Sequence, residues 1–451
     1  MAGEGARGLA RRGVLLAGAG LLGGCQAIDS IFGERKRPLP GERLPVLATE
    51  RPLEVDGGGA PLALPPPEAV AEWPQAGGVI GHDPGHPALG APLSLAWSVP
   101  VGIGSAYRRR LVAPPIVAGG AAYAMDAYGR VTAVEAARGR RLWELDTRPR
   151  RGRDGALGGG CAFADGTLYV VTGLAEAMAV DPAGGAVRWR VSLPAPARGA
   201  PTVADGRLLV PTVENQLLAL SAADGERLWT YRAQPVTTLV LGLPAPAVEG
   251  EVVVAGFASG ELAAIRATDG RLLWSETLSS ARGGGFSDIA AITAMPVISR
   301  GRVYGAGLGG LAIALDLRSG RQIWEREVAV GETPWVAGEA LFLVTTGGDL
   351  VCFGADDGRV RWIRPLGRYR DAARRRNPIT WGPPVLAGGR LLIAGSHGQM
   401  AEVNPLDGTP IGQTRLPGGV TLAPALAGGV LYLLTDDARL VALAGPAAPT
   451  A

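Results

Sequence analysis

The sequence predicts an all-β protein, an eight-bladed β-propeller of four-stranded antiparallel blades whose last blade is closed by an N-terminal strand. Three observations carry that reading. Tryptophans recur at Trp97, Trp143, Trp189, Trp229, Trp274, Trp324 and Trp362, at intervals of 46, 46, 40, 45, 50 and 38 residues, the period of one four-stranded unit. Six of them follow a glycine by four residues (Gly139, Gly185, Gly225, Gly270, Gly320, Gly358), often in Asp-Gly pairs such as Asp224-Gly225, a strong short hairpin signal. Gly (69) and Pro (36) are abundant and aromatic residues make up only 5%, a composition suited to many short strands joined by tight turns.

Each element of the repeat has its own signal. A short strand A opens on proline at Pro115, Pro201, Pro246, Pro296 and Pro334, and a turn glycine follows within four or five residues. In the third repeat this predicts strand A at 201–203, B at 207–211, C at 216–220 and D at 227–231, with an apolar residue five positions before each turn glycine. Four antiparallel strands of this length make one propeller blade. A seventh copy starts at Pro384 and carries Gly412 where tryptophan is expected, so its packing on the next blade is expected to be weaker. An eighth begins at Pro424 and ends after strand C, near Ala442 and Leu443, whereas the strand around Trp97 stands alone. That strand is expected to supply strand D of blade eight, which removes free sheet edges.

The N-terminus reads as an address. Arg7, Arg11 and Arg12 precede an apolar run, 14–22, that is too short to span a bilayer. It ends in Leu22-Gly23-Gly24-Cys25, which resembles a bacterial lipobox. The resemblance implies a signal peptide at 1–24, lipidation of Cys25 and, with Gln26 rather than Asp next, sorting to the outer membrane. Arg11-Arg12 leaves Sec and twin-arginine export both open. Residues 25–87 read as a lipidated Pro/Gly-rich tether on which Trp73 docks to the body, 88–445 as the propeller and 446–451 as a tail.

A net charge of +3 gives no global case for nucleic acid. Three cysteines (Cys25, Cys161, Cys352) make no disulfide framework, and Cys161 and Cys352 read as small buried residues of distant blades. His82 and His86 flank Asp83-Pro84-Gly85, which argues against a helix and for a solvated loop.

The motif Leu-x-Ala-Leu-x-x-x-(Asp/Ser)-Gly-x-x-x-Trp, as in 218–229, resembles the repeat of quinoprotein-type propellers, over residues 88–443. Two branches share it: quinone-dependent dehydrogenases and the BamB family of lipoproteins in the outer-membrane β-barrel assembly machinery. A dehydrogenase needs a Ca²⁺ cage and a base. The only asparagines (Asn215, Asn377, Asn404) lie in no acidic cluster, and no Cys-Cys pair occurs. Neither a cofactor, a metal site nor a catalytic residue is therefore expected. Arg198-Gly199-Ala200-Pro201 and Phe286-Ser287-Asp288-Ile289 resemble the two segments by which that family touches the POTRA domains of BamA. The resemblance implies a non-enzymatic scaffold, monomeric within a hetero-complex, anchored in the outer membrane and facing the periplasm, with Arg198, Gly199, Phe286 and Asp288 on the partner. Ala195 and Ala197 stand where that family has leucines. A quinoprotein-like dehydrogenase, or a propeller for another envelope ligand, are the alternatives.

In a propeller, B–C turns and D-to-A links share one face. Arginines crowd three links: Arg108, Arg109 and Arg110; Arg148, Arg150, Arg151 and Arg153; and Arg368, Arg370, Arg374, Arg375 and Arg376. They form a basic crescent that would suit an acidic partner or anionic headgroups, or simply keep long loops soluble.

Overall fold

Short runs of apolar residues between turn glycines leave each blade little choice but a four-stranded meander. In blade four, Ala247–Glu249, Val252–Gly256, Glu261–Arg266 and Leu272–Thr277 pair in sequence order, all antiparallel. Strands B and C are buried along almost their whole length, while D is exposed along most of its length. The computed structural model describes residues 53–57, 62–107, 109–148, 157–237, 242–279 and 290–446. Among them are eight such sheets and one two-stranded hairpin, Tyr369–Asp371 with Arg376–Pro378. Blades one to seven occupy 116–145, 159–192, 202–232, 247–277, 297–327, 335–365 and 385–415. Blade eight takes strands A to C from 425–444 and strand D from Ser94–Pro100, with Trp97 opposite Ala442. The chain thus closes as an eight-bladed ring.

The tryptophans act between blades. In strand D each sits opposite a small residue of strand C, as Trp229 faces Ala219 and Trp362 faces Cys352. A bulge at the same register point in each C–D pair turns the ring toward the next blade. There the indole Nε1 donates to a carbonyl: Trp97 to Ala136, Trp143 to Pro182, Trp229 to Ala267 and Trp324 to Ala355, at 2.8–3.0 Å. The ring covers the next blade's turn glycine, so a Cβ on Gly270 would lie 2.8 Å from Trp229. Glycine and tryptophan, four apart in sequence, therefore belong to two different junctions.

This explains Gly412. It faces Glu402 in the register where other blades pair tryptophan with alanine or cysteine. The next blade has no C–D turn, because its strand D comes from the other end of the chain, so an indole here would have no glycine to cover. Instead Glu402 forms a buried ion pair with Arg390 (3.0 Å) and accepts from Thr414 (2.6 Å), while Arg390 also donates to the Gly90 carbonyl at 2.8 Å. Gly90 lies on the chain entering blade eight, so this network joins blade seven to the closing strand.

Residues 62–87, expected as part of the tether, belong to the folded body. They cross the axis at the A–B turn end and hydrogen-bond to strand A or its turn in every blade. Trp73 exchanges backbone bonds with Val117 of blade one; Phe163 of blade two donates to Pro74. The Gln75 side chain pairs with the Val203 backbone of blade three. Val248 and Ile298 of blades four and five donate to Ile80 and Gly81. The Trp335 indole of blade six donates to Gly85 (2.9 Å), and Gly388 and Gly428 of blades seven and eight donate to Pro87 and Val70. Trp73, 2% exposed, stacks on Trp335 across the channel. Amides on seven inner edges or their turns, and the Trp335 indole on the eighth, would otherwise be unpaired, and this segment satisfies them.

His82 and His86 are correspondingly buried rather than solvated. His82 Nδ1 bonds the Pro296 carbonyl at 2.7 Å, and burial pushes its pKa down to about 4. His86 Nε2 accepts from Gly389 N–H, so its Nδ1 carries the proton donated to Pro65. Cys161 and Cys352 are free and buried, and burial raises the Cys161 thiol to about 12.

Two outcomes follow. Gly270→Ala places a Cβ at φ +74° against an indole and should cost about 2 kcal/mol, whereas Gly412→Trp, which has open space but no turn to cover, should gain less than about 0.5 kcal/mol; urea unfolding checks both. The stability from burying unprotonated His82 is whole above its ordinary 6.5 and is lost as pH falls toward about 4. Relative to His82→Gln, the wild type should therefore lose about 2 kcal/mol between pH 7 and 4.5, and equal losses would contradict this origin.

Candidate functional site

Among the described residues the crossing segment lies across the A–B end, and the axial funnel opens at the face of the B–C turns and D-to-A links. Side-chain contacts tie those two loop types together. Tyr128, in the B–C turn of blade one, lies under Arg109 from the preceding link (5.4 Å) and Arg148 from the following one (6.0 Å). Arg368 approaches Asp349 at 3.9 Å, and Arg370 donates to Ser396 in the B–C turn of blade seven.

The axial funnel on this face has a volume of about 380 Å³. Its wall is the ring of residues just before strand A: Pro114, Ala200, Ala245, Met295, Thr333, Pro383 and Ala423. Its floor is Ala76 of the crossing segment, packed with Ala200, Ala245 and Met295. Among the described residues one carboxylate lines it, Glu332. Burial raises that carboxyl to about 8. Among the described residues, no group of three or more His, Cys, Asp or Glu side chains could hold a metal ion.

Glu332 was not among the residues expected from sequence, though a signal exists. Two positions before strand A's proline the repeats place Ala113, Gly199, Pro244, Ala294, Gly382 and Leu422, and only blade six places a charge there.

Arg198 lies in the link from blade two to blade three and is half-buried. Its NH1 donates to Leu157 at 3.3 Å, its Nε is buried without a partner among the described residues, and burial lowers its pKa. Its backbone bridges Pro211 and Leu243. Gly199 is fixed sterically, since a Cβ would collide with the Leu243 carbonyl. Ala195 and Ala197 are buried (1% and 0%), so they present no apolar surface beside Arg198. Cys25, Arg108, Arg150, Arg151, Arg153, Phe286 and Asp288 lie outside the described residues.

Parts of the crescent are neutralised. Arg148 binds Asp146 with two hydrogen bonds (2.9 and 2.6 Å), which holds that carboxyl near 2, and Arg374 pairs with Asp371 at 3.2 Å. Arg110, Arg375 and Arg376 are exposed and have no carboxylate partner among the described residues. The free positive charge is thus narrower than the arginine count suggests.

Comparison with known proteins gives consistent results. A family profile described as "Outer membrane protein assembly factor BamB" matches residues 127–364 and 366–447. A relative of that name from Moranella endobia is 27% identical over 337 residues, 73% of this chain and 84% of that protein. The crystal structure of BamB from Moraxella catarrhalis superposes with a TM-score of 0.68 at 20% identity, covering 78% of this chain and all of that one. Quinohemoprotein alcohol dehydrogenase from Comamonas testosteroni shares the fold at 14% identity, with a TM-score of 0.66 over 84% of this chain and 82% of that one.

A carboxyl raised to about 8 binds a proton in the folded state that the unfolded chain has already lost, so stability falls as pH rises from about 4.5 through 8. Glu332→Gln should match the wild type near pH 4 and melt higher at pH 9, by at least roughly 2 °C. A lower melting point for the variant at pH 9 would contradict an uncompensated carboxyl.

Proposed function

The chain belongs to the family of the outer membrane protein assembly factor BamB, and from that premise we propose that it is a non-enzymatic scaffold lipoprotein, anchored through Cys25 in the outer membrane and facing the periplasm. In this reading it serves a β-barrel assembly machine by binding the POTRA domains of a BamA-like protein through its link face. The relatives are named as assembly factors, which supports the role. The observation that carries the choice of face is the crossing segment, because it occupies the A–B end and leaves the D-to-A links as the accessible loops over a rigid ring. Arg198 supports the contact site, with a guanidinium held half-buried by a single carbonyl and an Nε–H that no described residue pairs.

The funnel speaks for a scaffold rather than the dehydrogenase branch. A quinone site bound through Ca²⁺ draws on several carboxylates and amides, and the described residues lining this funnel include one carboxylate among alanines, prolines and threonines.

The test is co-purification with the barrel-assembly partner. Arg198→Glu should weaken capture tenfold or more, the scale of about 1.4 kcal/mol, and Cys25→Ser should release the protein from the membrane. Full capture by an Arg198→Glu, Asp288→Arg double variant would move the contact to another surface.

A further inference from the structure

Glu332 stands where two cavities meet. The funnel lies on one side. On the other is a chamber of about 420 Å³ between the B–C turn of blade six and the hairpin that follows that blade, lined by Thr345, Thr346, Arg368, Tyr369, Ile379 and Trp381. Gly331, Glu332 and Thr380 line both, so the two form one groove from the rim to the axis.

Along that groove Glu332 has no hydrogen bond or ion pair among the described residues. The other charged or titratable groups lining it are Arg368, Tyr369 and Arg110. Arg368 is 64% exposed and already near Asp349, and Arg110 is exposed in a link. Neither forms an ion pair or hydrogen bond with Glu332 among the described residues. A half-buried carboxyl with a raised pKa and no cation is a standing cost, and the remedy is a cation from outside.

We propose that this groove is a binding site for an extended polypeptide segment that lays an arginine side chain against Glu332. Of the basic side chains arginine fits best on physical grounds. Its guanidinium is weakly hydrated, so it is cheaper to bury, and it matches a carboxylate with two parallel hydrogen bonds. It also cannot escape desolvation by deprotonating, as a lysine facing a carboxyl of raised pKa can. Met295, Leu243, Leu422 and the wall prolines offer contact for its aliphatic stem. The threonines and the Gly347-Gly348 backbone of the outer chamber offer hydrogen bonds to a main chain. This site goes beyond the scaffold reading and stands without it, because it concerns the isolated chain.

The coupling gives a signature. Pairing requires the carboxylate, so affinity should climb with pH as Glu332 ionises near 8. His397, edge-on against Trp381, is held below the ordinary histidine range by burial and by Arg370, so the window from pH 7 to 9 belongs to Glu332. The experiment titrates the full protein with N-acetyl-arginine amide, and with the uncharged citrulline analogue of the same shape, by NMR or calorimetry at pH 7 and 9. The expected result is saturable binding of the arginine probe that tightens roughly tenfold between the two pH values, as the ionised fraction rises from about 10% to about 90%. The citrulline analogue should bind weakly and without pH dependence, and Glu332→Gln should abolish the tightening while still unfolding cooperatively. The wild-type comparison of the two probes needs no variant and stands even where Glu332→Gln does not fold. Equal binding of arginine and citrulline, a tightening that survives in Glu332→Gln, or no saturable arginine binding at either pH overturns the proposal.

Discussion

The contact between a tryptophan of one blade and the turn glycine of the next is the constraint on which the rest of the structure depends. A blade by itself is a small sheet with two apolar faces and cannot hide either. Each indole buries its ring on a glycine turn and gives its single N–H to a carbonyl beside it, so one residue supplies both apolar contact and direction. Burial of each ring is worth about 2–3 kcal/mol. The larger effect is geometric, because the flat ring over a residue without Cβ fixes how closely and at what angle neighbours approach. The seam between blades seven and eight shows the rule by its exception. The broken chain removes the receiving turn, and the Arg390–Glu402 pair with the Gly90 carbonyl takes its place.

A closed ring leaves an axial hole lined by strand A edges, and this chain fills it with its own N-terminal segment. The consequence is a division of labour between faces. One end is sealed by Trp73, Gln75, His82 and His86 against inner strands of separate blades. The other keeps its links, a blind funnel and the groove through Glu332. The proposed recognition would then fall to loops whose sequence can vary while the ring stays rigid.

How much of this could be read from residues follows from how each interaction is encoded. The ring and its closure were legible because Gly-x-x-x-Trp recurs and because the unmatched Trp97 strand and the unfinished last repeat complement one another. The crossing segment was not, since it is held by one or two hydrogen bonds per blade and leaves no period; only Trp73 gave a hint. Neutralisation of the crescent was partly legible, as Asp146 and Asp371 sit two and three residues from Arg148 and Arg374. Glu332 was overlooked because it interrupts no motif, and it becomes visible only when the positions before strand A are compared across repeats. The half-burial of Arg198 depends on a carbonyl 41 residues away, which spacing does not reveal.

In this reading the crossing segment closes one end of the ring and leaves recognition to the other. Amide hydrogen exchange of the full chain, alone and with its assembly partner, tests it most directly. In the free chain the amides of Phe163, Val248, Ile298, Gly388 and Gly428, which donate to the segment, should be protected as strongly as the strand C amides. On partner binding, new protection should appear in the D-to-A links and B–C turns. Rapid exchange of those five amides in the free chain, or new protection confined to the A–B and C–D turns, would contradict the account.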